Sequence, residues 1–287
     1  EVRFAEIHRE DCTLDVDHLR SLLNERTRLV AVGAASNSSG SINPIREIAS
    51  WAHAVGAWMF VDAVHYAPHA LIDVAEIGCD FLACSAYKFF GPHVGVMWGR
   101  RELLESLPAY KLRPAPNELP GRWMTGTQSH ETIAGAAEAV NYLADIGRLA
   151  GSEAVGRPSG LASPESLDRR AALERAFVAI GQYEQQLFRE LLAGLQAIDG
   201  VTIHGITDPD RLDERLPTVS ITHSRLTSAE LATWLADRGI FAWHGNYYAL
   251  QLTEALDLEP QGMLRLGLVH YNTAAEVART IEALAEV

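Results

Sequence analysis

The chain has two lysines, Lys88 and Lys111, among 24 basic residues. Lys88 stands in the run Cys84-Ser85-Ala86-Tyr87-Lys88-Phe89-Phe90-Gly91-Pro92. Arginine would supply charge there equally well, but it cannot supply an amine that loses its proton and condenses with a carbonyl. A lone lysine in such a run would read as an apolar stem with its ammonium in water, so its neighbours decide. Asp62 ends the apolar run 58–61, where a carboxylate is costly unless it meets a cation; alone, it would read as a strand-end residue capping the next turn. Ser85 and Lys88 lie just past the run 80–83. Asn37, within Ser36-Asn37-Ser38-Ser39-Gly40, lies just past the run 27–32.

These residues need strands to place them. Residues 27–33, 58–62, 80–85 and 94–98 read as buried strands, and 44–54 as a helix with Pro44 suited to its first turn. Strands alternating with helices predict βαβ units and a largely parallel sheet whose last pair is open to a hairpin. Such sheets gather functional residues at the carboxyl ends of their strands, where Asn37, Asp62, Ser85 and Lys88 fall. An amine, a buried carboxylate and phosphate-binding hydroxyls suit pyridoxal 5′-phosphate (PLP): lysine forms an imine with its aldehyde, and an anion keeps its ring nitrogen protonated, which makes the ring an electron sink.

Four ordered blocks carry a resemblance: Ser36-Asn37-Ser38-Ser39-Gly40-Ser41-Ile42-Asn43-Pro44, Val61-Asp62-Ala63-Val64-His65-Tyr66-Ala67-Pro68-His69, the stretch from Cys79-Asp80-Phe81 to Lys88-Phe89-Phe90-Gly91-Pro92, and Gly126-Thr127-Gln128. Over nearly its whole length the chain resembles the class V aminotransferases of PLP fold type I, and among them the cysteine desulfurase-like group. The resemblance implies that Lys88 binds the cofactor and moves the substrate's α-proton, and that Asp62 pairs with the ring nitrogen. It places His65, where many relatives have glutamine, near the phenolic oxygen. Ser85 and Tyr87 (often histidine in relatives) would serve the phosphate. Asn37 would serve both the phenolic oxygen and the substrate carboxylate. Thr127 would reach the phosphate of a partner subunit in a homodimer with shared sites. Arg265 would clamp the carboxylate of a small amino-acid substrate in bidentate fashion.

Two departures qualify this reading. Desulfurases take up sulfur on a mobile cysteine, but Tyr248 stands at about that place, within residues 239–250, and no cysteine follows Cys84. A phenol can act as an acid or a hydrogen-bond donor, not as a sulfur carrier. The expectation is therefore C–S lyase-type β-elimination, with transamination, epimerisation or a catalytically inactive PLP-fold binding subunit as alternatives. The resemblance also implies an upstream part of the large domain, roughly a third of it, with a phosphate-gripping turn; without it, PLP is expected to bind weakly.

The remaining sequence predicts organisation. Residues 1–146 are expected to form a partial PLP-binding domain, and 147–168, rich in glycine, serine and proline, a linker or insertion. Residues 169–287 are expected to give a long connecting helix (about 166–198) and a small α/β domain. That domain should hold strands at 201–204, 218–221, 240–243 and 263–268, and helices starting near Ser228 and Thr273 behind capping-type residues. Residues 1–7 read as a strand. At 287 residues with 48% apolar content there is ample core. A net charge of −13 argues against nucleic acid or an anionic membrane surface as partner. No apolar run is long enough to span a bilayer, and three cysteines without a paired spacing fit a reducing cytoplasm. His65 and His69 have a metal-ligand spacing, but Pro68 between them disfavours a regular helix, and no metal is expected.

Overall fold

Runs of β-branched and aromatic residues pack well on a pleated surface, and in the computed structural model, which describes residues 1–150 and 167–287, they pair as a first sheet. Its strands are β1 (Leu29–Gly33), β2 (Trp58–Asp62), β3 (Phe81–Ser85) and β4 (Gly95–Gly99), in that order. β1, β2 and β3 run parallel, with Gly33 opposite Asp62 and Asp62 opposite Ala83; β4 returns antiparallel to β3. Between β1 and β2 lies α2 (Ile45–Ala54), which buries Ile45, Ile48, Ala49 and Ala52 at helical spacing. α3 (Val74–Ile77) is capped by Asp73, whose carboxylate accepts from the backbone N–H of Ala75 and Glu76. α4 (Arg101–Ser106) and α5 (His130–Ala150) follow β4. One compact unit comprises Asn24–Gly33 and Ile45–Ala176. Residues 147–150, expected in a linker, are the last turn of α5; most of that expected linker, residues 151–166, lies outside the described residues.

The second unit comprises Glu1–Leu23, Ala34–Pro44 and Phe177–Val287. The strand expected over 1–7 does not form. Ile7 makes an isolated bridge to Leu14, while Val2 and Phe4 are exposed: strand-like composition needs a neighbouring strand edge, and among the described residues no strand extends that single bridge into a ladder. α1 (Val16–Leu22) follows, capped by Asp15, which accepts from the His18 N–H. α6 (Arg169–Gln196) begins in the first unit and continues into this one. Then come β5 (Val201–His204), β6 (Thr218–His223), α7 (Ser228–Ala236), β7 (Trp243–Gly245), α8 (Leu250–Ala255), β8 (Met263–Gly267) and α9 (Ala274–Ala285). The sheet order is β5-β6-β8-β7, antiparallel throughout. α7 and α9 open with the expected capping boxes, Thr227 with Glu230 and Thr273 with Glu276. The strand expected at 240–243 instead begins at Trp243, because Ile240 and Ala242 pack on the core and ladder pairing starts where Trp243 faces Arg265. That core joins Leu187, Phe188, Leu191 and Leu195 of α6 to Val219, Ile221, Leu264 and Val277.

Candidate active site

Two groups of candidate residues follow from these elements, one in each unit. In the first unit, β2 ends at Asp62. Asp62 is exposed and its Oδ1 accepts from the Val64 N–H at 2.9 Å, so the expected buried carboxylate is a solvent-facing one. The reason lies in register: Asp62 is the last laddered residue of β2, and the next turn folds back to satisfy its oxygen instead of covering it. The buried aspartate of this sheet is Asp80, at the opposite end of β3. It takes His53 Nε2 at 2.8 Å, the Met59 N–H at 2.7 Å and Arg100 Nε at 3.1 Å, which satisfies a buried charge.

β3 continues past the residue opposite Asp62 to Ser85, and the chain then tightens into a four-residue 3₁₀ turn, Ala86–Phe89. Ser85 precedes this turn without a side-chain capping bond, and Lys88 is its third residue. Phe90, at φ 70°, closes the turn, and the Gly91 N–H donates to the Ala86 carbonyl at 2.8 Å. Lys88 Nζ lies 5.3 Å from the centre of the Tyr87 ring, which stacks on His93 at 4.9 Å. His65 and His69 meet edge to face at 5.7 Å. Thr127 is exposed, ahead of α5. The Cys84 thiol is pushed up by burial, with the Asp62 charge adding to it; Cys79 and Cys12 are likewise raised by burial, Cys12 to about 11. None of the three is primed as a thiolate at neutral pH.

In the second unit, Arg265 sits in β8 between Ser220 and Trp243. Its Nη1 donates to the Asn37 carbonyl at 2.8 Å, and Asn37 Nδ2 donates to the Tyr247 carbonyl at 2.8 Å. Burial lowers the Arg265 pKa, with the Tyr247 phenol opposing that shift. The loop bearing Asn37 is built by serines. Ser36 Oγ accepts from the N–H groups of Ser38 and Ser39, and Ser220 Oγ, fully buried, donates to the Ser38 carbonyl at 2.8 Å. Gly40 closes the loop at φ 79°; a Cβ there would lie 2.8 Å from the carbonyl oxygens of both Leu216 and Thr218. Tyr248 is fully exposed at φ 65°, its N–H bonded to Asn246 Oδ1. Within this unit Asn37 and Arg265 are joined as neighbours. Tyr247, which the sequence reading passes over, is joined to both; nothing in the sequence distinguishes it from Tyr248 beside it.

The family model described as Aminotransferase class-V matches residues 1–156 and 170–280. The chain belongs to this PLP-dependent family. A probable cysteine desulfurase of Pseudomonas aeruginosa is 33% identical over 94% of this chain and 61% of its own length. The aminotransferase-like protein FGM3 of Gibberella zeae is also 33% identical, over 94% of this chain and 62% of its own. The structure of a cysteine desulfurase from Thermococcus onnurineus superposes with a TM-score of 0.80 at 22% identity, covering 99% of this chain and 65% of that one. The fold is therefore PLP fold type I, as expected, and the chain spans about three fifths of the length of the curated relatives it matches. The residues present fit the cofactor: an amine on the turn after β3, a carboxylate at the end of the adjacent β2 and a hydroxyl at Ser85 are the donor set it requires.

Proposed function

We propose that the protein is a PLP-dependent enzyme of the cysteine desulfurase-like group. It acts on a small amino acid by lyase-type β-elimination at a carbon–sulfur bond, as a cytoplasmic homodimer with shared sites. When bound, PLP supplies the electron sink for the bond broken at the α-carbon. Lys88 anchors it through its amine and then carries the α-proton. Asp62 keeps the ring nitrogen protonated, His65 and Asn37 face the phenolic oxygen, and Ser85, Tyr87 and a partner subunit's threonine equivalent to Thr127 hold the phosphate. Arg265 grips the substrate carboxylate, and the Tyr248 phenol serves as a proton donor.

The observation that carries this reading is the pair of adjacent parallel strand ends in Asp62 and in Ser85 with the Lys88 turn, while Asp80 takes the buried structural role. Against sulfur transfer through a cysteine stand the three thiols, all raised by burial. The equally similar aminotransferase-like relative favours transamination as the second reading. The test is spectroscopic, then chemical. Addition of PLP should produce the visible band of a lysine-bound pyridoxal, and Lys88→Ala should abolish it; no spectral response would sink the enzyme reading. With a panel of amino acids, sulfide plus pyruvate marks a lyase, and a keto acid plus the amino form of the cofactor marks a transaminase.

A further inference from the structure

We infer that Tyr247 is a positioning residue: its ring and backbone carbonyl fix the Arg265 guanidinium for a substrate carboxylate, so that preference for amino acids over simple amines depends on Tyr247. The inference rests on the proposed role of Arg265 and deepens it.

The Arg265 guanidinium carbon lies 4.6 Å from the centre of the Tyr247 ring, within the range of an attractive cation–π contact. The ring therefore covers one face of the fork. One edge is covered as well, because Nη1 donates to the Asn37 carbonyl, and Asn37 in turn is tied through Nδ2 to the Tyr247 carbonyl. Arg265, Asn37 and Tyr247 thus form a closed circuit in which each member restrains the next. Tyr247 itself is held firmly. It is buried, and its hydroxyl donates to the Met263 carbonyl, with the Trp243 carbonyl at 3.3 Å, so it is pinned both to β8, which carries Arg265, and to the neighbouring strand β7. Burial raises the phenol's pKa, so it stays a neutral donor at working pH.

The backbone gives a second, independent reason. Tyr247 and Tyr248 have φ of 55° and 65°, a left-handed region costly for large residues and tolerated where the surroundings over-determine it. The result is two adjacent tyrosines sent opposite ways, one under Arg265 and one into solvent. A planar fork needs its rotation fixed before it can meet both oxygens of a carboxylate at once, and a stacked aromatic face supplies that restraint.

The experiment compares L-alanine with ethylamine, which lacks the carboxylate, by the spectral change each causes in the PLP-loaded protein. Tyr247→Leu should weaken alanine about tenfold while leaving ethylamine unchanged. Tyr247→Phe, which keeps the ring, should retain alanine binding, and Tyr247→Met replaces the leucine variant should that one fail to fold. Tyr247→Leu combined with Arg265→Ala should bind alanine no more weakly than Arg265→Ala alone. A cofactor-free readout stands beside these. The Arg265 Nε–H nuclear magnetic resonance signal, assigned with Arg265→Lys, should show ring-current shielding that survives in Tyr247→Phe and disappears in Tyr247→Leu. Equal weakening of alanine and ethylamine, additive losses in the double variant, or unchanged shielding in Tyr247→Leu overturns the inference. The reading of Arg265 as the clamp fails separately, if Arg265→Ala binds alanine as well as the unaltered protein does.

Discussion

The lysine group of the first unit and the arginine group of the second are positioned in opposite ways. Asp62, Ser85 and Lys88 hang from the ends of two regular strands and one short turn, and the described bond of the Asp62 carboxylate reaches two residues along the chain. Asn37, Ser220, Tyr247 and Arg265 are held by contacts spanning as many as 228 residues, with a serine-built loop, a glycine that admits no Cβ, and two tyrosines at positive φ. Chemistry placed by strand ends can change without unfolding anything. Chemistry placed by an interlocked circuit shares its bonds with the fold, so its substitutions mix stability with recognition.

The sharpest test of that contrast uses two aspartates of one sheet. Asp62→Asn keeps an oxygen for the Val64 N–H and removes only the charge. Turnover should fall about 10²–10³-fold, the scale of one preorganised electrostatic group, while the unfolding free energy stays within about 0.5 kcal/mol of the unaltered protein's. Asp80→Asn should do the reverse. It breaks a buried carboxylate away from Arg100 and His53, which are themselves partly exposed, and should cost about 2–3 kcal/mol in stability with PLP affinity unchanged. Urea unfolding beside cofactor titration reads both; a stability loss at Asp62 as large as that at Asp80 would erase the distinction.

On the arginine side, Gly40→Ala should be the most damaging single change. The added methyl meets two carbonyl oxygens at 2.8 Å in a backbone region that favours glycine. About 2–3 kcal/mol of stability should go, and amino-acid affinity with it, because the loop that must shift is the one whose Asn37 carbonyl receives Arg265. Calorimetry and ligand titration on the same variant check this; lost stability with intact affinity would mean that the loop and the arginine are not coupled.

What the sequence reveals divides along the same line. β2 over 58–62 and both capping boxes are legible because their signals are local: an apolar run with a polar end, and a hydroxyl three residues before a glutamate. Lys88 stands out as a candidate because lysine is so scarce here. The N-terminal strand misleads because residues 1–7 have the composition of a strand but, among the described residues, only the single Ile7 bridge and no ladder partner. Asp62's exposure escapes because it depends on what folds over a strand end, and α5 because its many alanines blur the apolar stripe of a helix face. Tyr247 is invisible in principle, since only two loop torsions separate its role from that of Tyr248.

Ser220 tests whether the circuit can be loosened without being broken. It is the cross-strand partner of Arg265, fully buried, and its hydroxyl donates to the Ser38 carbonyl. Ser220→Ala removes that donor and leaves a carbonyl in a dry setting, a loss of about 1–2 kcal/mol. The Asn37 loop keeps its other ties: the Ser36 hydroxyl to two backbone N–H groups, and the Leu216 N–H donated to the Gly40 carbonyl. Stability should therefore fall by less than for Gly40→Ala, and alanine affinity should drop only about two- to threefold, since Arg265 still has both the Asn37 carbonyl and the Tyr247 ring. A full tenfold loss of affinity from this one hydroxyl would shift the control of Arg265 from the tyrosine to the serine loop.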